Sequence, residues 1–256
     1  MLTFEAIMLH FTTKCAKNCP FCYQKERQAK PFSFFLSLIS HIAPYTDRIC
    51  LGGGEPLYDE KHIDFCNRFV ELCKDYDVRV SITTALPKRA RKIRGADISM
   101  SFDEFKFNFR EFYELIKNLD GVGVNYLLID RNPMQTFARV ILLAEHHPVF
   151  LLSPKFVPFR LHPCVLTLLQ HENVFCDECL YLTLKYGLRW KEPCGYAHKL
   201  ISIHPDGSVR GCSFSTNIIY KLKGCEDWEK AIEACKKEEA RFHCPYLRYI
   251  SGPDGI

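Results

Sequence analysis

Cys15-Ala16-Lys17-Asn18-Cys19-Pro20-Phe21-Cys22-Tyr23 directly follows the apolar run Ala6–His10, and its reading decides the fold. A short apolar run bounded by polar residues reads as a buried strand, so the cysteines lie in the loop at that strand's end. Thiolates are the usual ligands of iron–sulfur clusters, and three so close together suit three irons of a cubane. Three in place of four leaves one iron open to a small molecule. Two other readings stay open on these residues alone. Zinc would take a fourth protein ligand, which His10 can supply; a C-x-x-C disulfide or thiol-redox loop is the other.

Outward from this stretch, the runs Arg48–Leu51, Val78–Thr83, Asp97–Phe102, Val122–Leu128 and Val149–Leu152 are rich in Val, Ile, Leu and Phe. Most are apolar almost throughout, as strands of a parallel sheet covered on both faces are. Helical patterns separate them. Asp59–Tyr76 sets Ile63, Cys66, Phe69, Val70 and Cys73 on one face, at the i, i+3, i+4 spacing of an amphipathic helix. Phe109–Leu119 and Met134–His146 are further helices. A βα unit repeated about six times predicts an α/β fold with a parallel sheet, open or rolled toward a barrel.

After about residue 165 the alternation is expected to stop and cysteines become dense. Leu200–His204 and Ser208–Cys212 flank Pro205-Asp206-Gly207, a hairpin signal. Asp227–Phe242 reads as a helix with Trp228, Ile232 and Cys235 on one face. The expected division is residues 1–165 and 166–256.

The 256 residues are 47% hydrophobic and 25% charged, enough to bury a sizeable core and too apolar for a disordered chain. The net charge of +4 permits an anionic partner without demanding one. No apolar run is long enough to span a bilayer. Met1–His10 mixes apolar residues with Glu5, unlike a secretory leader. Fourteen cysteines in such a chain favour metal ligation in a reducing, cytoplasmic setting.

The spacing C-x3-C-x2-C followed by an aromatic, Tyr23, resembles the signature of the radical S-adenosylmethionine (SAM) superfamily. Gly53-Gly54-Glu55-Pro56, at the end of the second strand, is similar to that superfamily's Gly-Gly-Glu-Pro segment. The resemblance implies a partial (β/α)6 barrel and a [4Fe–4S] cluster on Cys15, Cys19 and Cys22. SAM would chelate the open iron through its amino and carboxylate groups. An electron from the cluster, supplied by a donor such as ferredoxin or flavodoxin, would cleave SAM to methionine and a 5′-deoxyadenosyl radical. Tyr23, Gly53, Gly54, Glu55 and Pro56 are the implied cofactor contacts. The glycines would let the backbone approach SAM closely. Thr84 (beside Thr83) and Ser101 (near Asp103) end the third and fourth strands, where barrels of this kind gather functional side chains; plain turn-forming hydroxyls are the alternative.

The C-terminal segment resembles the auxiliary-cluster extension of that superfamily, of the SPASM or shorter twitch type. Cys194-Gly195, Cys212 beyond the Pro-Asp-Gly turn, and Cys244 after a helix carry the likeness. A full SPASM segment has a denser run of cysteines, so one auxiliary [4Fe–4S] cluster is expected. Its ligands would be Cys179, Cys194, Cys212 and Cys244, with Cys176 or Cys235 as alternatives for the fourth. A structural zinc ribbon uses similar spacings.

The basic run Lys88, Arg89, Arg91, Lys92 and Arg94 reads as a solvated helix face, with RNA or phosphate contact the weaker alternative. Cys50, Cys66, Cys73 and Cys164 read as core, and His204 as structural. No Walker motif, nucleophile elbow or paired-carboxylate site is present. The reading is an oxidoreductase-type radical SAM enzyme acting on a peptide or protein. Alternatives are a small molecule, nucleoside or tRNA substrate, and a non-catalytic metal-binding module.

Overall fold

The computed structural model describes residues 2–249, apart from Asn18, Lys25, Asp130, Arg131, Arg160, Leu161 and Leu188. The chain forms two units. One is Met1–Asn18, Cys22–Asp97 and Gly195–Ala240; the other is Cys19–Phe21, Ile98–Cys194 and Arg241–Ile256.

The first unit opens with β1 (Ala6–Thr12), α1 (Phe32–Ile42), β2 (Arg48–Gly53), α2 (Glu60–Lys74), β3 (Arg79–Thr84) and the short α3 (Pro87–Ala90). β1, β2 and β3 are parallel, with Ile7 opposite Ile49 and Ile49 opposite Val80. Strand alternation sorts the residues. Ile7, Leu9 and Phe11 are fully buried, and the Phe11 ring lies 4.4 Å from Phe65 of α2. Met8, His10 and Thr12 face the other way. α2 begins where Asp59 accepts the His62 N–H, the usual N-cap bond. Sequence reading did not single out α1, which buries Phe35, Leu38, Ile39 and Ile42.

The second unit holds β4 (Asp97–Phe102), α4 (Phe109–Ile116), β5 (Val122–Leu127), α5 (Pro133–Ala144), β6 (Val149–Leu152), β7 (Pro158–Phe159), α6 (Pro163–Leu168), β8 (Val174–Cys176) and α7 (Glu178–Tyr186). β4, β5, β6 and β8 are parallel neighbours in that order. The alternation expected to stop near residue 165 therefore runs on through β8 and α7. β8 has only three residues, too few for its pattern to be read.

The chain then returns to the first unit. β9 (Leu200–Ile203) pairs parallel to β1, β10 (Ser208–Arg210) pairs antiparallel to β9, and β11 (Tyr220–Lys221) follows. The hairpin signal is real, with Gly207 at φ +82°. This unit's strand order is β11-β10-β9-β1-β2-β3. α8 (Trp228–Cys235) is shorter than the expected 227–242. Lys236-Lys237-Glu238-Glu239 supplies no apolar residue to continue its buried face. β12 (Arg248–Tyr249) pairs with β7. Among the described residues no helix is long and apolar enough to cross a membrane.

Candidate functional site

The expected α/β parallel sheet puts the Cys15–Cys22 loop after the C-terminal end of β1. Cys15 is exposed, and Cys19 and Cys22 are partly buried. The loop has no regular structure, so tertiary bonds hold it. His62 Nδ1 lies 2.5 Å from the Asp59 carboxylate, which fixes the proton there and leaves Nε2 to accept from the Thr12 hydroxyl at 3.0 Å. Thr12 Oγ1 in turn accepts the Lys14 N–H at 3.1 Å.

The Gly-Gly-Glu-Pro segment binds the same loop through backbone. Gly54 N–H donates to the Thr12 carbonyl at 2.8 Å, and Glu55 N–H to the Lys14 carbonyl at 2.7 Å. A Cβ on Gly54 would lie 2.3 Å from the Lys14 carbonyl oxygen; one on Gly53 would lie 2.8 Å from that of Thr12. Gly53 also has φ +113°, which favours glycine. The two glycines are thus required by the cysteine loop itself, whatever else approaches them.

Glu55 is buried, and its carboxylate is fully engaged. It accepts the Thr84 hydroxyl at 2.5 Å, the Leu57 N–H at 3.0 Å and the Ala85 N–H at 2.9 Å. Thr84 Oγ1 also accepts the Leu86 N–H at 3.0 Å. These two side chains, expected to contact cofactor, join the ends of β2 and β3. Cys66 Sγ donates to the Pro56 carbonyl at 3.6 Å.

Beneath Tyr23 lies a buried polar group that sequence reasoning missed. The Tyr23 ring sits 5.4 Å from His10 and 5.1 Å from Phe214, and burial pushes its phenol up. His10 Nε2 is 2.9 Å from Ser213 Oγ, beside Cys212. Its ring centroid is 4.9 Å from that of His204, and burial pushes its pKa well down, with the His204 charge adding to this. Glu26 lies 3.3 Å from His204 Nδ1 and pairs with Arg210. Burial alone would raise its carboxyl, but His204 and Arg210 outweigh that and hold it at about 2. These residues are spread over about 200 positions, with no local signal to join them.

In the second unit Ser101 ends β4. Its hydroxyl accepts from the Lys106 ammonium at 2.7 Å, and that ammonium is 2.8 Å from buried Asp103. Lys106 also lies 6.0 Å over the Phe21 ring, between Cys19 and Cys22 in sequence. The i, i+3 pair Asp103/Lys106 just past a strand end was the available signal.

The same unit gathers a second group of cysteines. Cys179, on α7, and Cys244 shift each other in opposite directions, Cys244 down and Cys179 well up, while the Lys155 charge favours thiolate at both. Cys194 N–H donates to the Arg241 carbonyl at 2.8 Å, setting it beside the segment that leads to Cys244. In the first unit Ala197 N–H donates to the Gly211 carbonyl at 3.1 Å, next to Cys212.

Among the described residues no group of three or more His, Cys, Asp or Glu side chains is gathered closely enough to hold a metal ion. The remaining cysteines separate clearly. Cys66, Cys73 and Cys235 are fully buried, and burial pushes Cys73 and Cys235 up to about 12. Cys50 and Cys164, expected as core, are partly exposed. Cys176 is partly exposed too, and burial pushes it up to about 11. In the basic run, Arg89 bonds the Leu57 and Tyr58 carbonyls, and Lys92 pairs with Glu60.

No protein-family model matches the chain. The uncharacterized protein MJ0907 of Methanocaldococcus jannaschii is 29% identical over 113 residues, which is 40% of this chain and 40% of that protein. Solved structures align over far more of the chain. Streptococcus suis SuiB bound to the precursor peptide SuiA has a TM-score of 0.67 at 13% identity, over 93% of this chain and 68% of SuiB. SuiB bound to S-adenosylmethionine gives 0.65 at 15% identity, over 88% and 65%. BtrN in complex with AdoMet and 2-DOIA gives 0.52 at 16% identity, over 92% and 83%. At these identities the likeness is one of fold, shared with proteins captured with SAM.

Proposed function

We propose that this chain is a radical SAM enzyme. One observation carries the reading: the three-cysteine loop leaves β1 and is bound backbone to backbone by the Gly-Gly-Glu-Pro segment that ends β2. The loop and that segment together carry the superfamily resemblance, and the fold is shared with SAM-bound proteins.

Cys15, Cys19 and Cys22 would hold a [4Fe–4S] cluster. All three thiols stand outside the core, unlike Cys66, Cys73 and Cys235. When bound, the cluster supplies the electron for reductive cleavage of SAM. The chain's own residues orient and shield. Gly53 and Gly54 offer backbone, Glu55 and Thr84 keep that backbone in place, and Tyr23 packs behind the loop. In the second unit, Ser101 offers a hydroxyl near the end of β4.

Residues 166–256 serve as a twitch-like segment, in which Cys179, Cys194, Cys212 and Cys244 ligate one auxiliary [4Fe–4S] cluster. Cys244, pulled down to about 6, suits thiolate ligation. The substrate is a peptide or protein, a reading supported by the likeness to SuiB with its bound precursor peptide. The second reading, a small molecule, is favoured by the likeness to BtrN with 2-DOIA. The enzyme works in a reducing cytoplasm with a small electron-transfer protein as donor.

The test is to incubate the anaerobically reconstituted, reduced protein with SAM and measure 5′-deoxyadenosine. Sustained formation is expected. Iron-loaded protein that binds SAM and yields none would refute the reading.

A further inference from the structure

We propose that Phe150 and Phe175 form a stacking platform for an aromatic side chain of a peptide substrate, in line with Ser101 and Asn125. The inference rests on the peptide-substrate reading above and names what the second unit selects in that peptide.

The register of the parallel strands carries the argument. Ser101 of β4 stands opposite Asn125 of β5, Asn125 opposite Phe150 of β6, and Phe150 opposite Phe175 of β8. Residues opposed in this way share a face, so the four side chains make one row across the unit. Neighbouring strands lie about 4.8 Å apart, which sets Phe150 about 10 Å and Phe175 about 14 Å from Ser101. Ser101 is the hydroxyl that the reading above assigns to the cofactor, so the row continues outward from that site. About four extended peptide residues cover such a row.

The opposite face of these strands is spent on the core, where Met100, Val124, Leu151 and Val174 are buried. The row's own face is open. Phe150 is 36% exposed and Phe175 45%; their rings are stacked at 26° with centroids 5.2 Å apart. Single exposed apolar side chains are ordinary, but adjoining rings on an open sheet face hold apolar area in water that a partner can cover. The place of the Phe150 ring is built. A Cβ on Gly123 would lie 3.3 Å from Phe150 Cε2, so bare backbone lets the ring lie against β5. Leu127 and Leu152, opposed one pair further along, extend the apolar surface and are half-buried.

The chemistry of the row selects the occupant. All four side chains are uncharged and offer nothing to a phosphate or carboxylate. The paired rings favour a third ring placed on them. The Asn125 amide carries both donors and an acceptor for peptide groups. The neighbouring Lys106 ammonium is held by Asp103 at 2.8 Å and donates to Ser101 at 2.7 Å, which leaves the Ser101 hydroxyl its own proton to donate. A neutral peptide bearing an aromatic side chain matches both halves of the row.

The test titrates the full-length chain with the capped tripeptides acetyl-Ala-Tyr-Ala-amide, acetyl-Ala-Leu-Ala-amide and acetyl-Ala-Arg-Ala-amide, and with adenosine, read by saturation-transfer NMR. The tyrosine peptide should bind most tightly, with saturation strongest on its ring protons. Phe150→Leu and Phe175→Leu keep apolar side chains at exposed positions and should each weaken it by roughly three- to tenfold. Phe175→Tyr keeps the ring and should stay near the parent. Equal binding of the tyrosine and leucine peptides overturns the proposal. So does undiminished binding of the tyrosine peptide when both phenylalanines are leucine. Tighter binding of the arginine peptide, lost in that double variant, overturns it in favour of a cationic occupant. Adenosine binding lost there, with the tyrosine peptide unaffected, overturns it in favour of a base. The titration needs no SAM cleavage, so a wild-type protein that forms no 5′-deoxyadenosine defeats the radical SAM reading and leaves the platform result standing.

Discussion

The loop after β1 and the thiol pair of the second unit hold their cysteines in opposite ways. In the loop the three cysteines fall within eight residues, and Cys15 is exposed. Their support is backbone: two N–H bonds from Gly54 and Glu55, and the chain of Asp59, His62 and Thr12. Cys179 and Cys244 come from segments far apart; Asp177, which caps the helix carrying Cys179, pairs with Lys155 at 3.3 Å. An exposed loop is open to a small ligand but needs a frame to hold its shape. A half-buried pair drawn from distant segments takes its shape from the fold.

The largest effect should come from breaking the loop's donor set. Cys19→Ala, purified anaerobically, should lose reductive SAM cleavage entirely while the second site keeps its iron. Wild-type 5′-deoxyadenosine formation in that variant would remove the cluster assignment. Gly54→Val comes next. Its Cβ would meet the Lys14 carbonyl carbon at 2.8 Å and the oxygen at 2.3 Å, both backbone atoms that cannot step aside cheaply. Overpacking of this kind costs roughly 1–3 kcal/mol, and the strain falls on the cysteine loop. The variant should lose iron from the first cluster as well as SAM affinity. Full iron with poor SAM binding would mean that the glycines face the ligand alone.

Much of this contrast was legible in the sequence, and the reason is distance along the chain. Cys15, Cys19 and Cys22 form one pattern, and Gly53–Pro56 another, each readable in a few residues. The strands were legible for the same reason: six apolar runs lie where β1 to β6 form. The frame was not legible. Thr12 and His62 are fifty positions apart, and Glu26 meets Arg210 across the unit. Lys155 pairs with Asp177, twenty-two positions further on. Nor could the pattern reveal that Glu55 and Thr84 bond each other, because a strand-end hydroxyl looks alike whether it meets a ligand or a carboxylate.

A smaller effect tests whether the first unit's frame is purely backbone. Glu26 is held at about 2, against 4.5 for an ordinary glutamate. A carboxyl lowered in the folded state adds stability that is present above its unfolded value and lost as pH falls through its folded one. The Glu26 contribution should therefore be complete at pH 7 and disappear between about pH 4.5 and pH 2. Glu26→Gln leaves Arg210 and His204 without their anion, at a cost of about 3 kcal/mol at pH 7. Urea unfolding of the two proteins should converge as the pH is lowered through that window. A constant gap down to pH 2 would show that packing, not charge, ties Glu26 to the hairpin.

The smallest effect concerns Cys235, the alternative fourth ligand of the second site. It lies on α8 with Trp228 and Ile232, has no exposed surface, and burial pushes its thiol up to about 12. A thiol with no exposed surface on an apolar helix face is a small hydrophobe. Cys235→Ala removes one buried sulfur and leaves a small cavity, which should cost about 1 kcal/mol. Its iron content should match the parent within error. Cys179→Ala, measured beside it in the Cys15/Cys19/Cys22→Ala background, should instead lose the remaining iron. If Cys235→Ala loses iron and Cys179→Ala keeps it, the second site lies in the first unit. The contrast between a backbone-framed loop and a pair gathered from distant segments would then have to be drawn again.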